Sequence, residues 1–315
     1  MRSEHRRGGI LALAAGVLAA ALFLPAALPA RGETATFQKT EQTGTLGDIS
    51  SSCGILVNAD TGEILAAKDE TARIVPASMT KVMTVLVAAE ALQNKNLSDT
   101  VEITEDILET VSADNDAAVG FQAGEVVTVA DCLYGAALHS GADAAIALGR
   151  YVSGSDDTFV EAMNQKAEEL GLSDTHFVNA VGAYDENQYS TVEDIAKILQ
   201  AALDNDLARK VLSTRQYTTV KTSIHPDGIT VSNRFLKRME TQDVPGIVFS
   251  AKTGYLSAAG FCAVSSMTGS DGTRYICCTA KAPDTWSCIY DHAAIYNAFA
   301  GGADTGEEST SEEAN

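Results

Sequence analysis

Basic residues are scarce in this chain: 22 Lys and Arg stand against 42 Asp and Glu, a formal charge of −20. No basic block follows the first seven residues, so a nucleic-acid backbone is excluded as the natural partner. Tryptophan occurs once and proline six times, and aromatics make up 6% of the chain. Yet 45% of the 315 residues are hydrophobic, enough for one large core, and the ordinary Gly, Pro and charge content excludes collagen, coiled coil and disorder. No Walker or dinucleotide glycine pattern is present. His139, His176, His225 and His292 show no metal-ligand spacing, so neither a metal nor a cofactor is expected. Asp114-Asn115-Asp116 lacks the glycine and closing glutamate of a calcium loop and reads as a solvated loop. The six cysteines, Cys53, Cys132, Cys262, Cys277, Cys278 and Cys288, form no CxxC and no disulfide framework. Most lie in apolar stretches and read as buried small hydrophobes. Cys262 with Cys277 or Cys278 is the pair that neighbouring strands would bring closest.

Long apolar runs are absent except at the N-terminus. There Arg2, Arg6 and Arg7 precede an uncharged stretch from Gly8 to Ala30, with small residues at Ala30 and Gly32. Residues 1–32 read as a secretory signal peptide, with an uncleaved membrane anchor as the alternative. Either way the body is expected outside the cytoplasm, secreted or N-terminally anchored, with no other membrane attachment. Residues 33–50 are polar and read as a linker. The body spans 51–302. Residues 303–315 carry five acids and no aromatic and read as a disordered acidic tail.

Within the body, Cys53–Ala59 and Glu63–Lys68 read as a hairpin around Asp60-Thr61-Gly62. Ser78 to Leu92 is apolar on nearly all faces, the mark of a buried helix. Further helices are predicted from Thr128 to about Leu138, Asp143–Val152, Thr158–Leu170, and from a Ser190/Glu193 capping box to about Leu203. Strands return at Gln216–Thr222, Ile229–Asn233, Ile247–Ser250, Ala259–Ser266 and Arg274–Lys281. Asp284 then caps a last helix ending near Ala300. Strands, helices, strands, helix is an α+β plan: a mostly antiparallel sheet flanked by helices, with a helical lobe over about 84–205 inserted into it.

Three short segments carry chemistry. Ser78-Met79-Thr80-Lys81 puts a hydroxyl and an amine on one helix face. A serine needs a base to become a nucleophile, and a neutral amine serves. For Lys81 to act near neutrality its pKa must fall from ~10.4 by some three units, about 4 kcal/mol, through burial or a neighbouring like charge. The Ser78 backbone N–H, at a helix start, is free to hold an oxyanion. Ser140-Gly141-Ala142 falls between two helices, where a hydroxyl can relay a proton or merely cap a helix. Lys252-Thr253-Gly254, followed by Tyr255, lies at a strand, where a lysine beside a hydroxyl binds a carboxylate and a glycine admits a substrate backbone.

In this order the segments match the S-x-x-K, S-D-N and K-T-G set of β-lactamases and penicillin-binding proteins. With Gly171–Asn179, Tyr189-Ser190-Thr191 and Lys252–Gly260, the sequence from about Ser51 to Ala300 resembles the D-alanyl-D-alanine carboxypeptidases, the low-molecular-mass penicillin-binding proteins. The resemblance implies a β-lactamase/transpeptidase-like fold, with 51–302 as the DD-peptidase domain. It implies Ser78 as nucleophile, Lys81 as base and Ser140 as proton relay. Lys252 and Thr253 would bind the terminal carboxylate of a peptidoglycan stem peptide, and the N–H groups of Ser78 and Tyr255 would form the oxyanion hole. β-Lactams would acylate Ser78. One departure stands out: the second motif usually ends in Asn, and here it ends in Ala142, a loss of about 10²–10³ in rate if nothing replaces that donor. Two other readings stay open. A class A β-lactamase would need a Glu-x-x-Leu-Asn segment after Ser140, which is not evident. A catalytically weak wall-binding or penicillin-sensing module is motivated by Ala142. An endopeptidase acting on cross-links would use the same residues.

Overall fold

The computed structural model describes residues 36–114 and 116–300, so the predicted leader and acidic tail lie outside the described residues. The chain opens with β1 (Gln38–Thr45), β2 (Cys53–Asn58) and β3 (Glu63–Lys68). A 3-10 turn, Ala77–Thr80, leads into α1 (Lys81–Ala91). Then follow β4 (Thr100–Ile103), α2 (Glu105–Ala113), β5 (Glu125–Thr128) and α3 (Val129–Tyr134). A π-helical turn, Gly135–His139, separates α3 from α4 (Ala142–Ser153), α5 (Asp156–Glu169), α6 (Val192–Asp204) and α7 (Asp206–Leu212). The short strands β6 (Gln216–Thr218) and β7 (Thr230–Ser232) and helix α8 (Arg234–Met239) precede β8 (Gly246–Leu256), β9 (Gly260–Gly269), β10 (Arg274–Ala282) and α9 (Thr285–Phe299).

The main sheet has the order β1-β3-β2-β10-β9-β8 and is antiparallel except where β1 runs parallel to β3. Successive strand residues face opposite sides. Ile55, Val57, Ile276 and Cys278 join the core shared with α1, α4 and α6, whereas Leu56, Tyr275 and Cys277 face the core that includes α8 and α9. The sheet is thus sandwiched between helical layers. In α1, every residue from Lys81 to Ala89 is buried, as its uniformly apolar sequence requires.

The structure corrects four expectations. The segment read as a linker, 33–50, contributes the edge strand β1, pinned by Gln38 N–H to Gly62 O (2.9 Å) and Leu46 N–H to Ala67 O (3.2 Å). Its outward-facing polar residues hide the strand, because an edge position leaves them in water. The capping residue of α6 is Thr191, not Ser190. Thr191 accepts the Asp194 N–H, while Ser190 Oγ is buried against Thr175 Oγ1 at 2.8 Å. The stretches 216–222 and 229–233 form only a small separate sheet, β6 with β7. Finally, Cys262 is not the strand partner of Cys277 or Cys278, although all six cysteines are buried and free as the sequence suggests. The β9/β10 register sets Cys277 against Ser265 and Cys278 against Val264, so neither faces Cys262.

Candidate active site

The site forms where the 3-10 turn, the Ser140 turn and β8 meet on one side of the sheet. Pro76 starts the turn, and Ala77 takes a left-handed φ of 46° to launch it. Ser78 is half-buried at its second position. Lys81, one turn on, donates from Nζ to Ser78 Oγ at 3.1 Å and to Val181 O at 2.6 Å. Its side chain is almost wholly removed from water. That burial pulls its pKa down to about 8, against the opposing pull of Asp116 and Asp143. A neutral amine is therefore accessible close to neutrality.

Val181 O is held in place by a loop the sequence did not flag. Asn179 Oδ1 accepts the N–H groups of Val181 (3.2 Å), Gly182 (2.7 Å) and Ala183 (3.1 Å). Thr84, three residues along from Lys81, donates to Ala180 O at 2.6 Å and ties the same loop to α1. Gly182 has φ +86°, and a Cβ there would lie 1.9 Å from Ala77 O and 2.9 Å from Ser78 N. The sequence marks Asn179 only as the end of the Gly171–Asn179 stretch and as an Asn three residues before a Gly, a common turn pattern, and gives it no role.

Ser140 follows the π turn and has a left-handed φ of 65°. Of four non-glycine residues with positive φ among the described residues, Ala77 and Ser140 adjoin or carry the site's hydroxyls, where strain is most often retained. The turn is closed by Gly141 N–H to Gly135 O (3.0 Å), which aims Ser140 Oγ at β8. There Lys252 Nζ donates to it at 2.9 Å and to Thr253 O at 2.8 Å. Lys252 is buried too, and its pKa falls well below the ordinary lysine value, through burial first and the Lys81 charge second. The like-charge effect expected for Lys81 thus acts on Lys252, and burial dominates for both.

β8 extends further than Ile247–Ser250 and carries Lys252, Thr253, Gly254 and Tyr255 within the strand. It is the outer strand of the sheet, and among the described residues no other strand pairs with its far edge. Thr253 and Tyr255 are exposed, and the Tyr255 ring stacks on Phe261 with centroids 4.3 Å apart. Gly254 is the close-approach residue: a Cβ there would sit 3.0 Å from Ser78 N and 2.8 Å from Cys262 Sγ. Ser78, Lys81, Ser140, Lys252, Thr253, Gly254 and Tyr255 are thus carried by three neighbouring segments. Ala142 is fully buried, and its backbone N–H donates to Ala117 O at 2.7 Å. Asp143, not singled out from sequence, is also fully buried and accepts the N–H groups of Val119 (2.9 Å), Gly120 (3.1 Å) and Phe121 (3.3 Å). Asp116 is half-buried within electrostatic range of Lys81, so its loop is more than a solvated one. Among the described residues no cluster of potential metal ligands occurs.

Comparison with known proteins agrees with this geometry. The family profile described as peptidase S11, D-alanyl-D-alanine carboxypeptidase, matches residues 37–283. The D-alanyl-D-alanine carboxypeptidase DacF of Bacillus subtilis is 34% identical over 214 residues, 67% of this chain and 52% of the relative. The carboxypeptidase DacA of Haemophilus influenzae is 35% identical over 234 residues, 72% of this chain and 56% of the relative. The chain therefore spans a little over half the length of these curated relatives. Among solved structures, the Streptomyces K15 DD-transpeptidase superposes with a TM-score of 0.71 at 30% identity, covering 79% of this chain and 96% of that one. Penicillin binding protein 5 from Haemophilus influenzae gives 0.70 at 30% identity, covering 79% and 70%.

Proposed function

The chain belongs to the D-alanyl-D-alanine carboxypeptidase family, and from that premise we propose that it is a serine peptidase removing the terminal D-alanine of peptidoglycan stem peptides. The observation that carries the reading is the buried Lys81 amine 3.1 Å from Ser78 Oγ. Neutral Lys81 takes the Ser78 proton as Oγ attacks the carbonyl between the two D-alanines. The tetrahedral oxyanion accepts from the backbone N–H groups of Ser78 and Tyr255, which Gly254 lets approach one another. The C–N bond then breaks, and the departing amine takes a proton relayed through Ser140, which Lys252 holds at 2.9 Å. Lys252 and the exposed Thr253 hydroxyl bind the substrate's terminal carboxylate, a charge-assisted contact that also settles the buried lysine charge. Water hydrolyses the acyl-enzyme on Ser78 and returns the proton.

A β-lactam presents a similar carboxylate and a strained carbonyl, so it acylates Ser78 and acts as a covalent inhibitor. The substrate lies outside the cytoplasm. The arginine-led apolar leader supports export, as a cleaved signal peptide or as an N-terminal anchor. The test is to incubate the protein with a diacyl-D-Ala-D-Ala peptide and measure free D-alanine, with Ser78→Ala beside it. Release by the wild type alone supports the reading, and release by both, or by neither, overturns it.

A further inference from the structure

We infer that Gln188 is a positioning residue for Lys81, locking the loop whose Val181 carbonyl fixes the amine beside Ser78. The inference deepens the function proposed above and rests on it.

The amine sets the requirement. A neutral lysine amine has two N–H groups and one lone pair, and the lone pair must face the Ser78 hydroxyl for the proton to cross. Rotation at the end of the side chain leaves that direction free unless an acceptor holds an N–H. Val181 O is that acceptor, 2.6 Å from Nζ. Apart from Ser78 Oγ at 3.1 Å, Nζ has no other hydrogen-bond partner among the described residues. The place of Val181 O therefore decides where the base points.

The loop carrying Val181 O is closed at its base. His176 N–H donates to Tyr189 O at 2.9 Å, and Tyr189 N–H donates to His176 O at 3.2 Å. Asn164 on α5 fastens the same base, accepting the Phe177 N–H at 2.9 Å and donating to Phe177 O at 2.8 Å. From 178 to 188 the chain is neither helix nor strand, so its backbone groups depend on side chains within the loop. Asn179 gathers the N–H groups of Val181, Gly182 and Ala183. Gln188 is 2% exposed and spans the loop from its other limb. Its Oε1 accepts the N–H groups of Val178 and Asn179, both at 2.9 Å. Its Nε2 donates to Asn179 Oδ1 and to Ala183 O, both at 3.3 Å. Both lone pairs and both N–H groups of the amide are thus engaged, and a reversed amide would set its NH2 against two N–H donors. Gln188 grips Asn179 by its backbone N–H and by its side-chain oxygen, and hydrogen bonds run on through the Val181 backbone to Lys81.

Removing the Gln188 amide leaves the Val178 and Asn179 N–H groups without their acceptor, and the loop shifts to regain partners. The carboxylate site stands apart from this chain of contacts. Lys252 Nζ bonds Ser140 Oγ and Thr253 O, neither of them in the loop. Gln188 therefore bears on proton transfer and not on ligand binding.

The experiment follows acylation of Ser78 by a fluorescent penicillin in stopped flow, for wild type, Gln188→Leu and Gln188→Glu. Varying the penicillin concentration separates the acylation rate constant from the dissociation constant of the complex that precedes it, and the amplitude counts the folded protein. Gln188→Leu lowers the rate constant by ~10–10²-fold, the cost of a shift of up to about 1 Å at a reacting group, with the dissociation constant unchanged. Gln188→Glu keeps both accepted N–H groups and lowers the rate constant by less, and it carries the test if Gln188→Leu does not fold. A loss of amplitude alone, with the wild-type rate constant in the folded fraction, makes Gln188 merely structural and overturns the inference. So does a weakened dissociation constant with an unchanged rate constant. Failure of the proposed function looks different: the wild type itself gains no adduct on Ser78, and both readings fall.

Discussion

Gly182→Ala is the substitution that most sharply probes how the nucleophile is held. Gly182 sits at φ +86°, and an added Cβ would fall 1.9 Å from Ala77 O, 2.4 Å from Ala77 C and 2.9 Å from Ser78 N. All three are backbone atoms, so no side chain can swing aside. The left-handed conformation costs an alanine roughly 1 kcal/mol, and relieving the overlap adds roughly 1–3 kcal/mol. The total, about 2–4 kcal/mol, lowers the melting temperature of a domain this size by on the order of 5–10 °C. Function suffers more than stability. The overlap is relieved by moving either the Ser78 backbone or the loop that offers Val181 O to Lys81 at 2.6 Å. A displacement of about 1 Å at reacting groups costs ~10²-fold in rate. Penicillin acylation followed by stopped flow, with thermal melting alongside, measures both. A Gly182→Ala protein that melts and acylates like the wild type refutes the argument that this loop and the nucleophile turn are locked backbone to backbone.

Further outcomes follow from the buried ionisable groups. Burial holds the Lys81 pKa at about 8, so acylation rises with pH through a single ionisation near that value and flattens above it. A rate that is flat from acid to alkaline pH contradicts Lys81 as the base. On the opposite face of the sheet, His292 is fully buried, its Nδ1 2.8 Å from Ser265 Oγ and its Nε2 3.1 Å from Thr279 Oγ1. Burial drives its pKa down to about 3, so the folded protein keeps it neutral while the unfolded chain takes up a proton below ~6.5. Unfolding is therefore favoured progressively as pH falls from ~6.5 toward 3, by up to about 1.4 kcal/mol per unit. His292→Gln gives a protein less stable at neutral pH but with a shallower acid limb in urea titrations. An unchanged limb assigns the acid sensitivity elsewhere.

The legible parts of the fold are those with a local signal. Asp284 accepts the N–H groups of Trp286 and Ser287 as a sequence reader expects of a helix cap, and Thr128 with Asp131 closes a full capping box. Alternation and the Gly269–Gly272 turn mark β9 and β10. The three motifs were readable because each needs a fixed residue type at a fixed spacing. The illegible parts depend on distant partners. β1 is polar and mostly exposed, and only pairing with β3 makes it a strand. The short helices α7 and α8 are capped by Asn205 and Asn233, residues equally at home in turns. At the site, Val181 O acts through its backbone, and the Asn179 side chain that holds its loop gives no local sign of the lysine it serves. Asp116 read as a loop acid because its half-burial within electrostatic range of Lys81 comes from tertiary packing, which no local pattern encodes.

The central claim is that the hydroxyl beside the buried amine is the acyl acceptor. Intact-mass measurement after brief exposure to benzylpenicillin, followed by peptide mapping, addresses it directly. The account predicts one penicilloyl adduct per chain, on the peptide carrying Ser78, absent from Ser78→Ala and strongly slowed in Lys81→Ala. An adduct on another residue, or an adduct that survives Ser78→Ala, contradicts it.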